Sequence, residues 1–263
     1  MPQTPARHDM PKNTMINNEW AGNGLVTDMM LHDRLAAGVT GDAERVVIGL
    51  NWTFVQGPDG AGFAHTPARG TAGCYGLPTP GGYSGRALAD LAALWHSDNV
   101  FERAIGVAAV NAHWNRFDLE ASRENGLDLL QDKGQKTVII GRFPGLKERL
   151  PSAAIVEREP EPGEFGEDDL DTLLPDAAYV AITASALANG SLAQILSKLG
   201  DGFAVLVGPG TPLSSALSSV GVNAVSGFIA TDPDACARVT AEGGTVKSLR
   251  PHGRFATLQF VSV

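Results

Sequence analysis

Cysteine is nearly missing: Cys74 and Cys236 are the only thiols in 263 residues, too few for the bridged frameworks of small secreted domains. Both are expected to be reduced. Positive charge is also short. A formal net charge of -9 and a pI near 5.1 leave no broad basic surface, which argues against nucleic acid and against a membrane surface as partners. No apolar run approaches the roughly 18 residues that a transmembrane helix needs, so the composition predicts a cytoplasmic protein. The opening stretch MPQTPARHDMPKNTM has no apolar core for a signal peptide, and its prolines make it read as a flexible tail.

Several motifs are absent as well. No G-x-S-x-G elbow and no P-loop occur, which removes a serine hydrolase of that type and a P-loop ATPase. The six histidines are scattered and form no H-x-x-x-H pair, and the two cysteines form no C-x-x-C pair, so no motif specifies a metal. A spatial meeting of His65, Cys74 and His113 is the arrangement that stays open. The cofactor is therefore unassigned, a divalent metal ion being one candidate.

Glycine is plentiful, at 31 residues dispersed between apolar segments, and it signals many tight turns. Two patterns divide the chain. After a tail at 1–13, the segment 14–122 reads as a smaller α+β domain. A helix spans 16–35 and ends near Gly38; the β-branched run VVIGLNWTFV at 46–55 is a strand; Gly57 to Gly60 make a hairpin turn, and 63–66 returns. A glycine-rich loop at 70–85 follows. Ser84 is placed to cap a helix at 86–95, and a second helix at 99–113 is too apolar in its second half for the surface.

From 123 to 263 strands and helices alternate. Strands are expected at 137–141, 153–157, 178–183 and 203–208, with one or two more among 224–230 and 255–261, and helices at 166–174 and 191–199. This predicts an α/β fold, a Rossmann-like parallel sheet domain preceded by the α+β domain.

In such a sheet ligands sit beyond the carboxyl ends of the strands. The first strand runs into Gly141, Arg142, Phe143, Pro144 and Gly145. No G-x-G-x-x-G is present there, and Phe143 and Pro144 obstruct the approach of a pyrophosphate, which weakens ordinary NAD binding. Arg142 offers a fork for an anion and Phe143 a stacking face, against the plainer reading of a turn with Phe143 in the domain seam. Glu157 ends the second strand, 157 - 141 = 16 residues on, where an acid accepts ribose hydroxyls. Beyond the third strand come Thr183 and Asn189, and beyond the fourth Gly208, Pro209 and Thr211. Three strand ends bearing small polar groups point to one pocket. From the first domain, Asn51 and Thr53 share one strand face, and Asn111 stands near a helix end with His113, which the helix dipole favours as a cation.

The segments GLNWT (49–53), ERAIGVAAVNA (102–112), VIIGRFPG (138–145), LLPDA (173–177), ITASALANGSL (182–192) and VGPGTPL (207–213) together resemble the putative heavy-metal chelation family. The resemblance implies an enolase N-terminal-like domain followed by a Rossmann-like domain. The family's GHFP loop is here Gly141, Arg142, Phe143, Pro144, which replaces its histidine, and its G-P-S-T-P loop loses a hydroxyl at Gly210. The leading expectation is a small anionic or metal-chelating ligand between the domains, with Arg142 pairing, Phe143 stacking, Thr183, Asn189 and Thr211 hydrogen-bonding, and Asn51 and Asn111 closing the other side. The alternative is a transferase-like enzyme on a nucleotide-like or pterin-like substrate held at Glu157. A scaffold with no ligand is the bland third reading. The apolar helices also leave room for a homodimer interface.

Overall fold

The computed structural model describes residues 26–68, 76–130 and 134–260. The tail at 1–13, the first part of the 16–35 helix, and Cys74 lie outside them. α1 (Asp28–Ala36) begins where the Thr27 hydroxyl accepts the amide of Met30 at 3.2 Å, and it buries Leu31 and Leu35.

β1 (Arg45–Ile48), β2 (Trp52–Gln56) and β3 (Ala61–His65) form an antiparallel sheet in that order. The run 46–55, expected as one strand, is two. It folds back at 49–51, where the Gly49 amide donates to the Trp52 carbonyl at 2.9 Å. A Cβ on Gly49 would sit 2.0 Å from the carbonyl oxygen of Thr240, so glycine is required where this turn meets the distant chain.

α2 (Leu88–Ala92) is shorter than the expected helix because it tightens into a 3-10 turn at Ala93–His96. Ser84 does not cap it. Its hydroxyl instead accepts the amide of Val46 at 3.1 Å, on the edge of β1. α3 (Val100–Trp114) starts at Asn99, whose side chain accepts the amides of Phe101 and Glu102, and every residue from Ala104 to Ala112 is buried. An apolar helix of this kind belongs inside a core.

β4 (Thr137–Ile140) opens the second pattern, followed by α4 (Leu146–Arg149), β5 (Ala154–Val156) and α5 (Leu170–Leu173). Next come β6 (Tyr179–Thr183), α6 (Ser185–Asn189), α7 (Leu192–Leu196) and β7 (Phe203–Val207). The chain ends through β8 (Ala224–Ala230), α8 (Pro233–Ala241), α9 (Val246–Leu249) and β9 (Gly253–Gln259). The sheet order is β5-β4-β6-β7-β8-β9, all parallel except β9, which runs antiparallel to β8.

Alternate residues of each strand serve two apolar layers. Val138, Ile140, Val180, Ile182 and Leu206 face the large core shared with α3, while Ile139, Ala181 and Val205 face a smaller one. This is the predicted α/β architecture: a Rossmann-like sheet beside a small antiparallel sheet with its helices. Among the described residues no helix is long and apolar enough to cross a membrane.

Two asparagines, Asn111 in the last turn of α3 and Asn115 just past its end, tie the layers together. Asn111 donates to the carbonyls of Phe63 and Gly210 at 2.7 and 2.8 Å. Asn115 donates to Thr211 at 3.0 Å and accepts the amide of Leu213 at 2.8 Å. All of this is buried, where an unpaired peptide group is costly.

Candidate functional site

β4 lies between β5 and β6, so the chain leaves it first toward one side and later toward the other. The crevice between the carboxyl ends of β4 and β6 is therefore a topological switch point, the place where open α/β sheets bind ligands. A cavity of about 930 Å³ occupies it. Its floor is Ile140, Gly141, Val156 and Thr183, and α6 and α7 wall one side with Ser185, Asn189 and Gln194. The antiparallel-sheet layer supplies His65 from the end of β3, and Val100 and Arg103 from the start of α3.

Gly141 makes the floor possible. Its φ of +103° is left-handed, and a Cβ there would lie 2.7 Å from the Thr183 Cβ. The Thr183 hydroxyl lies 3.4 Å from that of Ser185, so two hydroxyls stand together at the end of β6.

Charge in the cavity is mostly spoken for. Lys198 pairs with Asp171 at 2.8 Å and Arg158 with Glu167 at 3.0 Å. Arg142 grips Glu164 at two points, Nε to Oε1 at 3.2 Å and Nη2 to Oε2 at 2.6 Å, and also donates to the Glu159 carbonyl. Hydrogen bonding from Arg142 and from the Glu161 amide holds the Glu164 carboxyl down to about 2. Glu157 and Asp168 differ: among the described residues neither carboxylate makes a hydrogen bond or ion pair, although Arg142 lies near enough to attract Glu157, whose amide donates to Phe165 at 2.9 Å. Partial desolvation pushes the His65 imidazole below its ordinary value.

Of the residues named from sequence, the cavity brings together Gly141, Arg142, Glu157, Thr183 and Asn189. The others lie elsewhere. Asn51 donates to Gly243 at 2.8 Å, pinning the end of α8, and Thr53 is buried with its hydroxyl 3.0 Å from that of Thr66. Asn111 is consumed by the layer seam. Phe143 packs against the smaller apolar layer with Leu146, on the face of the sheet away from α3, so it neither lies in the domain seam nor lines the cavity. Gly208, Pro209 and Thr211 leave the end of β7 but run beneath β3 and α3, with Thr211 fully buried. The three strand ends thus do not all open on one pocket, because the asparagines of α3 draw the third away.

His113 is no cation-favouring site either, since desolvation and nearby Arg116 lower its pKa. The polar cavity residues missed by sequence reasoning include Arg103, Glu167, Asp168, Asp171, Gln194 and Lys198. Each is an ordinary polar residue in a helix or turn, and nothing in its local pattern separates it from a solvated one.

These features define a Rossmann-like α/β protein whose switch-point cavity is walled on one side by a second, antiparallel layer. Residues 125–259 match the family DUF364 and residues 33–114 match DUF4213, both described as putative heavy-metal chelation, and the chain belongs to that family. No curated protein matches it. A DUF364 protein of unknown function from Desulfitobacterium hafniense superposes with a TM-score of 0.76 at 26% identity, covering 87% of this chain and 97% of that one. Another from Pyrococcus horikoshii gives 0.71 at 21% identity, covering 90% and 100%, and shows the shared fold.

The family description raises a heavy metal, and the donor set can be tested against it. Among the described residues no three His, Cys, Asp or Glu side chains cluster closely enough to hold an ion. Soft metals favour thiolate and imidazole ligands. Among the described residues the cavity offers one imidazole, His65, and burial pushes the Cys236 thiol, which is not in the cavity, up to about 12. The described side chains do not fit a protein-held metal.

Proposed function

We propose that this protein binds a small metal-chelating ligand in the switch-point cavity, and that any metal arrives held by the donor atoms of that ligand. The observation that carries this is the cavity itself: about 930 Å³ beyond the carboxyl ends of β4, β5 and β6, closed by His65 and Arg103 from the other layer. It falls within the usual size of ligand pockets. The two layers would act as separate domains meeting near residue 122. An anion paired with Arg142 is the weaker part of the sequence reading, because Glu164 already occupies that fork. A second reading, a transferase-like enzyme, is favoured by the free Glu157 carboxylate beside the cavity.

A thermal-shift screen with catechol and hydroxamate chelators, each with and without a divalent metal, tests this. A bound ligand at 100 times its Kd adds about 2.7 kcal/mol. The shift should vanish in the double variant Asn189→Trp/Gln194→Trp, which fills the cavity from two exposed wall positions. A shift produced by metal alone and kept in that variant would overturn the proposal.

A further inference from the structure

We propose that the occupant of the cavity presents a vicinal diol to Glu157. This rests on the preceding reading that the cavity binds a small ligand, and it names the chemistry by which the ligand is recognised. Three observations carry it.

The first is position. Glu157 directly follows β5, the strand next to β4, and lines the cavity beside the switch point. An acid at that place in a doubly wound sheet can accept both hydroxyls of a ribose. The second is availability. Arg142, Arg158, Lys198, Glu164, Glu167 and Asp171 are bound to one another in pairs, whereas the Glu157 carboxylate, attracted by Arg142 but not bonded to it, has no hydrogen-bond donor among the described residues; Asp168 is likewise unbonded but does not end a strand. A carboxylate accepts through both oxygens, and two adjacent hydroxyls match that geometry.

The third is what the cavity does not provide. After β4 the chain passes through Phe143 and Pro144 into a helix of only four residues, Leu146–Arg149, so the strand end next to Glu157 opens no long helix; the long helix that reaches the cavity, α3, comes from the opposite wall, and its first amides, those of Phe101 and Glu102, are taken by the Asn99 side chain. With the Arg142 fork closed by Glu164, the β4 end has no open fork for a pyrophosphate; Arg103, which donates to the Ser97 carbonyl at 3.4 Å, stands across the cavity on α3. Among its charged residues the cavity also presents Ile140, Val156 and Leu170, apolar surface against which a ring can pack. A neutral or cationic ribonucleoside meets these terms. A catechol carries the same diol and also chelates metal.

Isothermal titration of the full chain with adenosine, 2′-deoxyadenosine, ATP and 2,3-dihydroxybenzoate tests the inference, repeated on Glu157→Gln and Asn189→Trp/Gln194→Trp. Circular dichroism checks that each variant is folded. The expected result is that adenosine or the catechol binds and that Glu157→Gln weakens it at least tenfold. If adenosine is the binder, 2′-deoxyadenosine should be at least tenfold weaker and ATP no tighter; if the catechol alone binds, the diol is that of an aromatic chelator. Equal binding of adenosine and its deoxy form, an unchanged affinity in Glu157→Gln, or no binding of either diol would overturn the inference. If instead a non-diol chelator from the thermal-shift screen binds and is lost in the double tryptophan variant, the diol fails while the cavity reading stands. If that binding is unaffected by the double variant, both fail.

Discussion

Arg142 and Glu164 stand 22 residues apart in sequence and meet in a two-point ion pair, with Nη2 2.6 Å from Oε2. The pair fastens the segment after β5 across the end of β4 and leaves Arg142 without a free fork for an anion. Because Glu164 is held down to about 2 from an ordinary 4.5, its contribution to stability is present above about pH 4.5 and is lost as pH falls through about 2. Urea unfolding between pH 7 and pH 2.5 should show a shallower acid loss for Glu164→Gln than for the unmodified chain. An identical pH profile would remove the pair from the stability of the fold.

Asn111→Ala should destabilise the chain by about 2–4 kcal/mol, since it leaves the carbonyls of Phe63 and Gly210 buried without a donor. Chemical denaturation measures it. A change near zero would mean that the layers are not joined through this side chain.

Gly141→Ala should cost about 1–3 kcal/mol, because alanine must adopt a φ of +103° and its Cβ meets Thr183 at 2.7 Å. The same variant should lower affinity for any cavity ligand, since Thr183 forms part of the floor. Equilibrium unfolding and titration with the best binder from the screen would separate the two effects.

His65 and His113 both titrate below the ordinary 6.5. The unfolded chain therefore takes up protons first, and stability falls as pH drops below about 6.5 and on through the folded values. Proton NMR of the imidazole signals gives the two titrations directly. His65→Gln should flatten the pH dependence of unfolding between pH 7 and 5.

Cys236 is buried with its thiol raised to about 12, so it should resist alkylation at pH 8 in the folded protein and react on denaturation. Mass spectrometry of the labelled peptide reads this. Rapid labelling under native conditions would mean that α8 opens readily.

The sequence alone determined the second layer well. Short apolar, β-branched runs at 137–140, 179–183 and 203–207, and the segment 224–230 broken by Ser226 and Gly227, suit strands covered on both faces, and intervening turn residues mark where each one stops. Gly141, Glu157 and Thr183 were legible as cavity-lining residues because they stand at the ends of such strands. The same logic named Gly208 and Thr211, which also follow a strand but lie under α3.

Tertiary structure decided which strand ends stay open and which charges stay free. Local pattern cannot show that Asn111 reaches Gly210 across 99 residues, or that Glu164 closes the fork of Arg142. Nor can it show that Arg103 in α3 and Lys198 in the turn after α7, ordinary polar residues by their surroundings in the chain, face one cavity. Strand existence follows from short-range periodicity, whereas the pairing of polar groups is fixed only when distant segments compete for the same few partners.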